Sequence, residues 1–153
     1  YSIDECFIDA TPYLSLYHMD AVTFAKTLTK TVFDDTGICA TVGIGTNLFL
    51  AKVALDITAK HTHDGIGILN ETSFKQQIWF HQPITDIWNI GPGIARRLAK
   101  YGVHTLAGIC AMKRKTFYKE FGVNAEYLID HAWGQEPCTI AQIHSYVPEV
   151  IRL

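Results

Sequence analysis

The stretch ICATVGIGTNLFLAKVALDITAK, residues 38–60, decides the fold. Its β-branched, apolar first part predicts a buried strand over 38–45. Thr46 or Asn47 then offers a capping oxygen, and apolar residues recur at helical spacing as far as Lys60. Gly43 and Gly45 read as positions that let the strand and the helix pack closely. A glycine turn feeding a helix can also receive a phosphate, but the GxxxxGK[ST] spacing of a phosphate-binding loop is absent. C-terminal to this unit, GIGIL (65–69) reads as another strand. N-terminal to it, Val22, Ala25, Leu28 and Val32 predict an amphipathic helix from about His18 to Gly37. YSIDECFID (1–9) reads as an opening strand, broken by Thr11 and Pro12. The order β, α, β, α, β predicts helices over one face of a small sheet.

Beyond Asn70 the strand signals stop. Helices are predicted at about 72–80, 84–88, 93–101, 105–111, 113–121 and 124–133, which places a boundary near residue 70. The terminal EPCTIAQIHSYVPEVIRL has no helical period and is expected to be a linker or extended arm. The 153 residues, 48% of them apolar, suffice for one good core or two small ones. No apolar run is long enough to span a bilayer and no secretory leader precedes the first element, so no membrane association and a soluble, cytoplasmic setting are expected. Cys6, Cys39, Cys110 and Cys138 lack CxxC spacing and read as buried thiols. The start on Tyr1, directly at a strand, suggests a fragment.

The net charge of −2 hides an asymmetry: residues 1–70 carry eight acids against four Lys/Arg, whereas residues 71–153 carry seven against nine. Between Ile87 and Lys119 there are seven basic residues and no acid. The second half therefore has a basic face.

Three stretches carry chemistry. Asp4 and Glu5 form an acidic pair of the kind that holds hard divalent cations, provided the strand bends there so that both converge. Taken alone, the pair is a weak signal and reads first as solvated strand-end charges. Lys52 and Lys60, just over two helical turns apart, share a broad face; Lys52 reads as an ordinary solvated lysine. ITDIWNIGPGIARRLAKYGVHTLAGI (84–109) reads as helix, tight hairpin, helix. Asn89 and Gly91 can take left-handed backbone there, and Pro92 and Gly93 start a helix carrying Arg96, Arg97 and Lys100. The free amides of Gly91, Gly93 and Ile94 would face an anion at that N-terminus, the contact that grips a nucleic-acid backbone without reading bases. His61 and His63 read as solvated, and Trp79, Phe80 and Trp88 as core or inter-helix packing.

YSIDECFID, TVGIGTNLFLAKVALDITAKH and IWNIGPGIARRLAKYGVHTLAGI, in this order, resemble the Y-family (translesion) DNA polymerases of the UmuC/DinB kind. The resemblance implies an α+β chain: the C-terminal part of a ferredoxin-like catalytic palm (1–70), an all-helical thumb with a helix-hairpin-helix (71–137), and a linker toward a missing little-finger domain (138–153). It implies DNA-directed nucleotidyl transfer past lesions, with Asp4 and Glu5 as catalytic ligands of a two-Mg2+ site completed by a carboxylate outside this chain. It places Lys60 on the triphosphate and makes Gly91, Gly93, Ile94, Arg96, Arg97 and Lys100 contacts to the DNA backbone. The implied partners are primer-template DNA, nucleoside triphosphates and a sliding clamp, although no clamp-binding motif is found. Cys6 stands in place of the family's usual Ala and Asn89 in place of its Gly, and the segment from Lys52 to Lys60 is one residue longer than in many members. Without the first catalytic aspartate, the chain alone is expected to be inactive. Two other readings are a non-catalytic helix-hairpin-helix DNA-binding or adaptor module, and a metal-dependent phosphodiesterase using Asp4 and Glu5.

Overall fold

The computed structural model describes residues 1–147. Strands β1 (Val42–Gly45) and β2 (Ile66–Leu69) pair in parallel, with Val42 opposite Ile66 and Gly45 opposite Leu69. The connection between them is one continuous helical rod in three geometries: α3 (Leu48–Val53), a π-helical segment (Ala54–Thr58) and a 3-10 turn (Ala59–His61). Asn47 caps it by accepting from the Leu50 amide at 2.8 Å. Glycine sets the distance between rod and sheet. A Cβ on Gly43 would lie 2.0 Å from the Ala51 carbonyl oxygen, one on Gly45 2.2 Å from the Ala51 nitrogen, and one on Gly67 2.3 Å from the Ala54 oxygen. The helix backbone thus rests directly on the strand backbone, as the glycine spacing implied.

N-terminal to the βαβ unit lie α1 (Thr11–Tyr17) and α2 (Ala21–Thr36). The predicted break at Thr11 and Pro12 is instead the start of α1, because proline is well placed in a first helical turn. The Asp20 side chain caps α2 on the Thr23 amide, and Gly37 ends it in left-handed geometry. The amphipathic helix forms, but among its residues only Ala25 is buried. Residues 1–9 form no strand: among the described residues no third strand pairs with the sheet, and a turn folds the Ser2 amide onto the Glu5 carbonyl at 3.2 Å. The predicted strand at 38–45 likewise begins only at Val42, since residues 38–41 are exposed.

After Asn70 the described structure is helical: α4 (Glu71–Gln77), a 3-10 turn (Ile84–Asp86), α5 (Pro92–Ala99), α6 (Leu106–Ala111), α7 (Arg114–Phe121) and α8 (Ala125–Ala132). Asn70 opens the series with a capping box to Ser73. The change from strand to helix falls near residue 70, as read from the sequence, yet the hydrophobic core does not stop there. Phe49, Leu50 and Val53 of α3 and Leu69 of β2 belong to one cluster with Phe74, Leu98, Phe117 and Leu128. The predicted extended arm contains a sixth helix, α9 (Ile140–Ser145), started by a capping box between Thr139 and Gln142 that supplies locally what its weak period lacks. The rest of that predicted linker, residues 148–153, lies outside the described residues.

Two further expectations are corrected. Cys6, Cys39 and Cys138 are exposed; only Cys110 is half-buried, and burial pushes its thiol up to about 11. Trp79 and Trp88 pack against the core, but Phe80 is 72% exposed because the chain turns outward after α4. No helix among the described residues is long and apolar enough to cross a membrane.

Substituting Gly43→Ala is expected to cost about 1–3 kcal/mol in urea unfolding, because backbone rather than a flexible side chain must give way. Gly93, where a Cβ meets nothing within 4 Å, is the control. There Ala should be neutral or stabilising by about 0.5–1 kcal/mol.

Candidate active site and nucleic-acid interface

The rod of α3 and its π-helical continuation places Lys52 and Asp56 one turn apart on the side toward the N-terminal segment. Lys52 is 7% exposed, and its Nζ donates to Asp56 Oδ1 at 2.6 Å and to Glu5 Oε1 at 3.0 Å. Burial pulls the ammonium pKa down, but the hydrogen bonds it donates to Asp56 and Glu5 and the charge of both outweigh it, so the net shift is upward. The reading of Lys52 as a solvated lysine is therefore wrong. The tight seating of α3 on the glycines turns this face inward, and the two carboxylates compensate the buried charge.

Asp4 and Glu5 do not converge on one partner. Asp4 is exposed and accepts from the Ser2 hydroxyl at 2.9 Å, whereas Glu5 turns inward to Lys52. The bend expected at this pair is present as the Ser2–Glu5 turn. Lys60 is exposed on the final 3-10 turn, so it and buried Lys52 do not present a common face to solvent. Among the described residues no group of three or more His, Cys, Asp or Glu is gathered as a metal site.

Aromatic contacts hold the N-terminal segment. Tyr1 packs edge-on against Phe7 and Trp88, with ring centroids 5.6 Å apart in each pair, and its hydroxyl accepts from Trp88 Nε1 at 2.5 Å. Lys52 Nζ lies 5.6 Å from the Tyr1 ring centre, a cation–π contact. Trp88 stacks in turn on His131 of α8, which stacks on Phe49 of α3 at 4.2 Å. His131 is 3% exposed, and its Nε2 lies 2.8 Å from Glu136 Oε2. Neither Lys52 nor His131 stood out in the sequence. The signal for Lys52 was its i,i+4 spacing to Asp56; a lone histidine on an apolar helix gave none.

The hairpin ahead of α5 follows the sequence reading in part. Asn89 is left-handed, with φ 66°, but Gly91 is extended at φ −78° and serves as the N-cap. Its first arm is only the 3-10 turn Ile84–Asp86. Gly91 and Gly93 are exposed, a Cβ on either would meet nothing within 4 Å, and the amides of Gly91, Gly93 and Ile94 make no backbone hydrogen bond among the described residues. Arg96 and Lys100 are exposed beside them. Arg97 is not: its Nε donates to Glu120 Oε1 at 2.9 Å, and its guanidinium lies 4.5 Å from the Phe121 ring centre. Tyr101 donates to the other Glu120 oxygen at 2.9 Å, so α5 and α7 are clamped through one carboxylate.

Residues 1–56 match the impB/mucB/samB family. DNA polymerase IV of Moorella thermoacetica is 30% identical over 134 residues, 88% of this chain and 32% of that protein. DNA polymerase IV 2 of Bacillus subtilis is 32% identical over 128 residues, 84% of this chain and 31% of that protein. Among solved structures, the insertion ternary complex of Dbh DNA polymerase superposes with a TM-score of 0.73 at 27% identity, covering 89% of this chain and 39% of that one. Sequence and fold agree in their likeness to one part of the Y-family DNA polymerases. The chain spans about a third of the length of these relatives.

Two outcomes test this geometry. Trp88→Phe removes the donor to the Tyr1 hydroxyl and is expected to speed amide exchange over residues 1–7 more than in the helical core, read by hydrogen–deuterium exchange. The Arg97 hydrogen bond, followed by that from Tyr101, holds the Glu120 carboxyl below the usual glutamate range. A carboxyl depressed on folding lends stability above its unfolded value and loses it as pH falls through the folded value. The Tm advantage of wild type over Glu120→Gln should therefore be full at neutral pH and shrink below about pH 4.3.

Proposed function

We propose that this chain supplies a carboxylate pair and a duplex-gripping hairpin to template-directed nucleotidyl transfer past DNA damage. The observation that carries the reading is the hairpin. Open amides at Gly91, Gly93 and Ile94, a helix N-terminus and outward Arg96 and Lys100 form one anion-accepting edge, in a chain whose relatives are named as DNA polymerases. Such an edge suits the phosphate backbone of primer-template DNA, since glycine leaves room for close approach and the contacts carry no base information. Arg97 contributes by fixing α5 on α7 rather than by reaching for DNA.

Asp4 and Glu5 offer hard oxygen donors, the type that magnesium prefers, and the solvent access of Asp4 fits such a role. Two carboxylates fall short of a full donor set, so a further carboxylate is part of this reading. Bound there, magnesium would lower the pKa of the primer 3′-hydroxyl and neutralise charge on the reacting phosphate. The chain's own residues present the carboxylates: the Ser2–Glu5 turn exposes Asp4, and Lys52 anchors Glu5. Lys60 is exposed, which is compatible with a contact to an anion such as a triphosphate in this reading. DNA, a nucleoside triphosphate and a sliding clamp are the partners of this reading, in the cytoplasm.

In the polymerase at its full length, Asp4→Ala and Glu5→Ala are expected to abolish primer extension while leaving duplex binding intact; extension unaffected by either change overturns the catalytic assignment. Affinity for duplex DNA should fall steeply with salt, and Arg96→Ala with Lys100→Ala should flatten the log–log salt slope by about two. A slope that does not change removes the hairpin from the DNA contact and favours a purely structural role for the basic face.

A further inference from the structure

We infer that Lys52 is a positioning residue for Glu5: a buried, charge-compensated clamp that fixes one carboxylate oxygen so that the other faces a divalent cation. The inference rests on the reading of Glu5 as a metal ligand, and it assigns a task to a lysine that the sequence presents as ordinary.

Three observations carry it. Lys52 is nearly buried, with a side chain 9% exposed, whereas its partners Glu5 and Asp56 are 32% and 27% exposed. A buried ammonium with all its charge aimed at a metal-binding carboxylate would repel the cation that the carboxylate must bind. Here Asp56 sits closer than Glu5, 2.6 Å against 3.0 Å, so the ammonium is already compensated from its own helix. Glu5 is then held by a hydrogen bond without being neutralised. The hold is also directional. Lys52 engages Oε1 only, and Oε2 has no hydrogen bond among the described residues. Lastly, the ammonium is fixed from a third side by the Tyr1 ring at 5.6 Å, and Tyr1 precedes the acidic pair in the same turn. Glu5 is thus oriented from a rigid element, the α3 rod, rather than from the irregular segment that bears it.

Two consequences of opposite sign separate this role from its rival, in which Lys52 is a counter-ion that competes with the metal. If Lys52 orients Glu5, removing it weakens metal binding despite the loss of a positive charge nearby. If it competes, removing it strengthens binding.

Mn2+ binding to the protein at its full length, followed by the electron paramagnetic resonance signal of free Mn2+, tests the assignment. Lys52→Met is expected to raise the Mn2+ Kd about tenfold, the usual effect of losing a partner that orients a ligand. Lys52→Arg should recover part of that loss. Asp56→Asn should also raise the Kd, because the ammonium is then left to Glu5 alone. Duplex-DNA affinity through the distant hairpin should be unchanged in all three, which confirms that the variants fold. An unchanged or lower Kd in Lys52→Met, or tighter binding in Asp56→Asn, overturns the inference. Glu5→Gln distinguishes its failure from failure of the metal reading. If Glu5→Gln weakens Mn2+ binding and Lys52→Met does not, only the positioning role falls. If Glu5→Gln changes nothing, or wild type binds no Mn2+, the metal reading falls and takes the inference with it.

Discussion

The contact on which the rest of the structure depends is backbone against backbone: Ala51 and Ala54 of the helical rod resting on Gly43, Gly45 and Gly67 of the two strands. A sheet of two short strands has little area with which to hold a helix, and ordinary side chains between them would set the layers about 10 Å apart. Removing every intervening Cβ lets the rod sink, and its remaining faces are then buried by whatever packs beside it. That is why Phe49, Leu50, Val53 and Ala54 are fully buried in so small a unit. The helical half completes the enclosure, with Phe74, Leu128 and Ala132 in the same cluster. The strand-bearing and helical halves share a core, and neither has one of its own.

The depth of the rod also explains Lys52. On a helix at normal distance, a lysine at this position would extend into water. On a sunken rod it lies under the N-terminal segment and must be compensated where it is, by Asp56 from the next turn and Glu5 from the segment above. Once compensated, the ammonium pins that segment down. The aromatic series Tyr1, Trp88, His131 and Phe49 pins it from the other side and returns to the same rod. An irregular stretch bearing two adjacent carboxylates is therefore fixed at two points to one rigid element.

Much of this was legible, and the misses share a cause. The glycine spacing in TVGIG and GIGIL, the Asn47 cap and the helix series after Asn70 are local signals, and the structure follows them. So does left-handed Asn89. The opening strand was misread because an apolar run is only a residue pattern, while a strand also requires a neighbour to complete its ladder; residues 1–9 have none among the described residues. Lys52 was misread because burial of a charge is settled by elements distant in sequence, Glu5 lying 47 positions away. The cysteines were misread for the converse reason: Cys6 and Cys39 have apolar neighbours in sequence, but the segments that carry them lie on the surface.

The basic run shows how one local geometry can divide charges of the same type between two tasks. Arg96 and Arg97 are adjacent, so on a helix they point about 100° apart, and they cannot serve one surface equally. Arg97 is the one turned toward α7, where Glu120 and the Phe121 ring receive its planar guanidinium through a hydrogen bond and a cation–π contact. Lys100, four residues after Arg96, shares its face and stays in solvent with it. The outward pair lies one turn or two beyond the open amides at the helix start, so amides and side chains line a single edge. Neutralising Arg97 internally keeps α5 at a fixed angle to α7 without adding another mobile cation to that edge. The hairpin amides, whose reach is short, are thereby held at one fixed edge, as the proposed contact with a phosphate backbone requires.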